Sequence, residues 1–155
     1  MSLEFRTRAG DDKAMVKVFA LLVLCAAGAA DDAVGKALQG RWTGARYTEG
    51  NGENQNGAQK IEVVFKDNTL VCAKESGAPV GAATFTISAD GKQIDCVGTS
   101  NGYQNKAYPG ILTVEGDKLW WCCSGAAGKN AKRPGSFVAN AGEASYLIVL
   151  TRAKP

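Results

Sequence analysis

Beyond residue 38 the apolar residues fall at alternate positions in short runs, and Gly, Asn, Asp and Pro separate one run from the next. A period of two places successive side chains on opposite faces of a strand. Lys60 to Phe65 shows it most plainly, with Ile61, Val63 and Phe65 on one face and Lys60, Glu62 and Val64 on the other. Lys66-Asp67-Asn68 is a turn, and Thr69 to Lys74 returns with Leu70 and Cys72 sharing a face, which completes a hairpin. Glu75 to Pro79 connects to a strand at Ala82 to Ser88, where Phe85 and Ile87 oppose Thr84 and Thr86. Asp90-Gly91 is a strong turn signal before Gln93 to Val97, in which Ile94 and Cys96 face away from Asp95.

The second half follows the same rule. Gly98 to Pro109 is a longer loop, and Ile111 to Glu115 leads through the Gly116-Asp117 turn into Lys118-Leu119-Trp120-Trp121-Cys122-Cys123-Ser124. On that strand Leu119, Trp121 and Cys123 share one face and Trp120 and Cys122 the other; alternation does not say which face is inward. Gly125 to Gly135 is a loop, Ser136 to Asn140 a further short strand, and Ala144 to Thr151 a long apolar closing strand. Before all of these, Leu38 to Tyr47 forms a first strand anchored by Trp42, and Ala33 to Leu38 makes a helical turn over an open end of the sheet. About eight strands in hairpin order and almost no helix predict an all-β, single small antiparallel up-and-down barrel. In it the last strand pairs back onto the first, with Trp42 near the base.

The chain has 155 residues, 45% of them hydrophobic and 21% charged, which fits one domain. Residues 15–30 change the compartment. Met15-Val16-Lys17 precedes an apolar run from Val18 to Ala30, and Ala27 and Ala29 fit the small-x-small cleavage rule of a signal peptide. The expected organisation is an upstream extension at 1–14, a signal peptide at 15–30 and a barrel domain at 31–155, exported to the periplasm or beyond. The alternative for the apolar run is a buried N-terminal helix; it is too short for a comfortable membrane span. Leu24 before Cys25 disfavours lipidation. The formal charge of +3 is small and scattered, which argues against a nucleic-acid partner.

The order of several motifs resembles a known family. Leu38-Gln39-Gly40-x-Trp42, Phe65 before the first hairpin turn, Lys92-x-Ile94-Asp95 and Gly110-Ile111 are the first of them. Gly116-Asp117-x-Leu119-x-x-Cys122, Arg133-Pro134-x-x-Phe137 and Leu150-x-Arg152 complete the set. Together they resemble the secreted lipocalin-like domain family expanded in planctomycete bacteria, whose function is uncharacterised. The resemblance implies a small lipocalin-like antiparallel barrel in an exported protein, and no catalytic residues. The chain departs from the family pattern at Leu112, where an aromatic is usual, and at Cys72, Cys96 and Cys123, which lie outside that pattern.

Histidine is absent, which removes a histidine general base, a Ser/His or Cys/His pair and a histidine-bound metal. Export makes Cys72, Cys96, Cys122 and Cys123 disulfide candidates; buried free thiols are the alternative. Adjacent cysteines suit zinc-ligand spacing poorly, and no metal or other cofactor is expected. The Glu49 to Gly57 loop lacks the spacing of a calcium loop. Nothing in the sequence sets Glu62, Asp95, Glu115, Asp117 and Glu143 in facing pairs for hydrolysis. Arg133 and Arg152 are read as structural, capping the barrel by hydrogen bonds or by stacking on Trp42. Tyr103, Tyr108 and Trp121 are the candidate ligand-binding residues, with the loops at 98–109 and 125–135 sharing a rim. The expected function is an exported, non-catalytic barrel that binds a small apolar molecule. The alternatives are a filled barrel that contacts an extracytoplasmic protein, and a hydrolase using carboxylates.

Overall fold

The alternating runs become eight antiparallel strands: β1 (Gly40–Tyr47), β2 (Gln59–Lys66), β3 (Thr69–Lys74), β4 (Pro79–Ile87), β5 (Gln93–Gly98), β6 (Ala107–Glu115), β7 (Lys118–Ser124) and β8 (Ser145–Arg152). Each pairs with its neighbour in sequence, and β8 pairs with β1 from Trp42↔Arg152 to Tyr47↔Leu147, so the sheet is a closed barrel. Closure removes the open edges that would otherwise invite pairing with other chains. This is a computed structural model that describes residues 33–51 and 58–154. The expected extension at 1–14, the signal peptide at 15–30 and most of the Glu49 to Gly57 loop lie outside the described residues. Among the described residues no helix is long and apolar enough to cross a membrane.

Up-and-down order sorts the connections between two ends. The β2–β3, β4–β5 and β6–β7 turns share one end with the helix at 33–38. The longer β1–β2, β5–β6 and β7–β8 connections leave from the other, together with the β3–β4 turn. The first end is sealed. Trp42 is 0% exposed, and its Nε1 donates to the Leu38 carbonyl at 2.7 Å. The Arg152 guanidinium lies 4.3 Å from the Trp42 ring centroid and donates to the carbonyls of Gln39 at 2.8 Å and Ala37 at 2.6 Å. Its Nε donates to the Asp117 carboxylate at 3.2 Å. Gln39 in turn exchanges hydrogen bonds with the backbone of Asp67 in the β2–β3 turn. The helical turn expected at 33–38 is therefore a lid, held by its last carbonyls.

Inside, the alternation is obeyed. Val63, Phe65, Leu119, Leu150 and Ile94 fill the sealed half around Trp42. Phe65 meets Phe85 edge-on at 5.5 Å and Trp121 at 6.4 Å between centroids. Trp121 is the inward tryptophan of the pair and is 7% exposed. Trp120 points outward and is half-buried, with the Lys118 ammonium 5.9 Å from its ring.

Three expectations change. β4 and β6 begin earlier than the alternation indicates, at Pro79 and Ala107. A proline at the first residue of a strand loses no interior ladder bond, which is why Pro79 can open β4. Residues 136–140 do not form a strand; Ala139 makes an isolated bridge to Gly50. That segment lies along the outer wall, where Phe137 and Ala139 pack with Tyr47, Cys122 and Leu147 in a second small core.

Candidate functional site

The open half of the barrel is not filled. A cavity of about 130 Å³ lies there, walled by side chains from most of the strands. Its lining includes Ile61, Leu70, Ala83, Trp121, Tyr146 and Ile148, with Tyr103 and Tyr108 also in its wall. The lining is apolar because β-alternation delivers the buried face of each strand to the interior.

Two glycines shape it. A Cβ on Gly110 would come within 2.9 Å of the Trp121 Nε1, so the missing side chain on β6 makes room for the indole. A Cβ on Gly98 would meet the Tyr103 carbonyl oxygen at 2.0 Å, so only glycine lets the β5–β6 loop fold back on the end of β5. That loop is held by Gly98 N–H to the Lys106 carbonyl at 2.9 Å and by Asn105 N–H to the Gly98 carbonyl at 2.9 Å. The Ser100 hydroxyl accepts from Ala82 N–H at 2.9 Å and ties the loop to β4. Tyr103 is thereby set beside Gly81 and 6.2 Å from Tyr108, centroid to centroid. It is 41% exposed, which places it at the mouth. Burial, then the neighbouring Tyr103, raises the Tyr108 pKa, so its hydroxyl is neutral at ordinary pH.

The sequence brings Tyr103, Tyr108 and Trp121 to one place, as the topology requires. It does not bring the β7–β8 connection there. That connection leaves from the same end as the β5–β6 loop but runs down the outer wall, and none of its residues lines the cavity. Arg133 fastens it, donating to the Gly110 carbonyl at 2.5 Å, the Ile94 carbonyl at 3.4 Å and the Asp95 carboxylate at 2.7 Å. Arg133 is thus a structural clamp on the β5–β6 wall, whereas Arg152 lies over Trp42.

All four described cysteines are free thiols, which corrects the disulfide expectation for Cys72, Cys96, Cys122 and Cys123. The pairing register keeps two of the candidate pairs apart. Cys72 is level with Gly81 on β4 and Cys96 with Phe85, so they are offset by about 13 Å along the strands, beyond disulfide reach. Cys96 and Cys123 are separated by β6, about 9.6 Å across the sheet. Cys122 faces outward, buried under the segment at 136–140, with its Sγ 3.7 Å from the Val138 carbonyl. Cys72, Cys96 and Cys123 all line the cavity. Burial pushes the Cys123 thiol up to about 12 and raises Cys96 and Cys72 as well. Their raised pKa values keep them protonated at neutral pH, and they contribute to the wall as small apolar side chains. Among the described residues no cluster of three His, Cys, Asp or Glu side chains is placed to hold a metal ion.

The five candidate carboxylates, all among the described residues, stay outside. Glu62 pairs with Arg41 at 2.5 Å, Asp95 with Arg133 and Asp117 with Arg152, while Glu115 and Glu143 are exposed. None lines the cavity.

Sequence reasoning missed one residue of the cavity that carries charge. Arg46 on β1 follows Trp42 and Gly44 on the inward face and lines the cavity, with its guanidinium 4.7 Å from the Tyr146 ring centroid. The signal was present: Arg46 stands four residues after Trp42, so alternation sends both side chains inward. No protein-family model, no curated protein and no solved structure matches the chain.

Proposed function

We propose that the chain is an exported, non-catalytic, lipocalin-like barrel that holds one small apolar ligand in its open half. The observation that carries this reading is the apolar cavity of about 130 Å³ above the Trp121 indole, open beside Tyr103. Natural cores leave few voids larger than a water, so a space of this size beside a fully packed lower half calls for an occupant. A cavity of about this volume lined by apolar side chains stays dry and accepts a benzene-sized guest. The ligand class is therefore a single ring or a short alkyl chain. The outward carboxylates, each paired or exposed on the far side of the wall, support a binding role over hydrolysis.

A second reading rests on the outer surface. Val64 and Val71 are cross-strand partners on β2 and β3, and Val71 is 53% exposed. That pair offers an apolar spot to an extracytoplasmic protein, but single exposed valines are common on soluble surfaces and the spot is small.

The two separate in a titration. Delipidated protein is titrated with ring-sized and short-chain apolar compounds while tryptophan emission is followed. A saturable change that is lost in Trp121→Phe and kept in Trp120→Phe supports the cavity. No saturable change with any compound overturns it and leaves the surface reading.

A further inference from the structure

The cavity contains one feature that a purely apolar ligand does not explain. Among the described residues Arg46 is the only charged side chain in its lining, and no described carboxylate lines it there. The Arg46 Nε is buried and lacks a hydrogen-bond partner. Gln59 is its cross-strand partner on β2, on the same inward face as Ile61, Val63 and Phe65. The Gln59 side-chain oxygen is likewise buried and unpartnered. The Trp121 Nε1, deeper in the same cavity, is a third buried atom without a partner. Buried polar groups are nearly always bonded, and the adjacent pair on β1 and β2 at the edge of the cavity marks a place where something else completes the bonding. The Tyr146 ring supports the guanidinium plane from one side without using its N–H donors.

The geometry points to a small apolar monocarboxylate as the ligand, with its carboxylate on Arg46 beside Gln59 and its ring or chain running down to Trp121. This rests on the cavity reading above and names the chemical class it takes. A guanidinium offers a planar fork of donors that matches a carboxylate. The Gln59 amide carries both a donor and an acceptor, and turning its NH₂ inward supplies the second carboxylate oxygen. The remaining wall, from Ile61 and Leu70 to Ile148, is mostly apolar and favours hydrocarbon, with Ser124 and the tyrosines as its other polar residues and the Trp121 Nε1 buried without a partner at its floor. One cation answers one negative charge. A phosphate dianion would leave a charge unmatched in an apolar enclosure, and an amine would be repelled by the guanidinium.

The test is a set of matched probes on the intact protein, read by calorimetry and by tryptophan emission at neutral pH. Benzoate and pentanoate are compared with benzyl alcohol and pentanol, and with benzylamine. The acids should bind at least about tenfold more tightly than the matched alcohols, the margin a charge-assisted bond provides. Benzylamine should bind most weakly. Arg46→Met keeps the aliphatic stem against the wall and should bring acid and alcohol to within about threefold of each other. Arg46→Gln gives the same comparison should the methionine variant fail to fold. Alcohols binding as tightly as acids would overturn the head-group inference while leaving the cavity reading standing. An acid preference that survives both Arg46 variants would remove Arg46 from the site. Failure of all five compounds to bind would overturn the cavity reading itself.

Discussion

Replacing Trp42 by alanine should cost the fold about 3–5 kcal/mol, the range for truncating a buried tryptophan. The magnitude follows from three losses. A fully buried indole of this kind removes about 150–250 Å² from water, or about 4–6 kcal/mol at ~25 cal/mol per Å². The alanine methyl and burial already present in the unfolded chain reduce that figure. The Nε1 bond to Leu38 goes as well, about 1 kcal/mol, leaving the last carbonyl of the lid helix unpaired. The Arg152 guanidinium loses the ring it covers, which costs a further ~0.5–2 kcal/mol. These losses put the expected value in the upper part of the range. Trp42→Phe separates them, because it keeps most of the apolar area and loses the Leu38 bond; about 1–2 kcal/mol is expected. Urea unfolding of the three proteins, followed by far-UV circular dichroism, gives both values if the slopes agree. A loss below ~1 kcal/mol for Trp42→Ala would refute the account of the sealed end.

Two further outcomes follow from the thiols and the N-terminus. Native protein should react slowly with a thiol reagent, half-buried Cys72 first and the buried Cys96, Cys122 and Cys123 later, whereas unfolded protein reacts at once; a Cys72–Cys96 or Cys96–Cys123 disulfide in mass spectra of exported protein would contradict the register. Because burial raises the folded-state pKa of Cys123 from 9.0 to about 12, its contribution to stability is complete below pH 9 and declines as pH rises through that interval. Unfolding midpoints measured against pH should fall on the alkaline side, and replacing Cys123 with alanine should flatten that slope. N-terminal sequencing of protein recovered from the native host should begin just after Ala29 or Ala30; a chain still starting at Met1 or Met15 would set aside export.

Strand count, hairpin order and closure are legible in the sequence because each depends on local alternation and turn chemistry. Ile61-Val63-Phe65 and Leu119-Trp121-Cys123 are read correctly as single faces, and the Leu38 to Trp42 segment reveals the sealed end. The choice between Trp120 and Trp121 is not legible, because both faces of β7 are covered. Its outer face is covered by residues 136–140, which arrive through a long connection whose path no local pattern encodes. The same path explains Arg133. Its three acceptors belong to β5 and β6, some 23 to 39 residues away in sequence, and only the folded barrel brings them within reach. Arg46 is a different case. Its inward parity is readable, but a cation at an interior position carries no motif, and the unpartnered state of its Nε exists only in three dimensions. The thiols differ from expectation because compartment suggests oxidation, whereas the positions of the strands in the barrel decide whether two sulfurs can meet.

The β1–β8 seam has a consequence for how the chain reaches this state. Every other strand pair joins neighbours along the backbone, but the seam joins segments about a hundred residues apart, as the Arg152 to Gln39 bond with its separation of 113 shows. Such a closure carries the largest loop entropy in the molecule and comes late in folding. Until β8 has emerged, β1 and β7 each present a bare edge, Trp42 lacks the guanidinium that covers it, and the lid helix lacks two of its anchors. A chain released from N- to C-terminus therefore stays short of the native barrel until β8 is free. A protein built this way stays short of its closed barrel, and open to a holding chaperone, for as long as the eight residues of β8 are withheld.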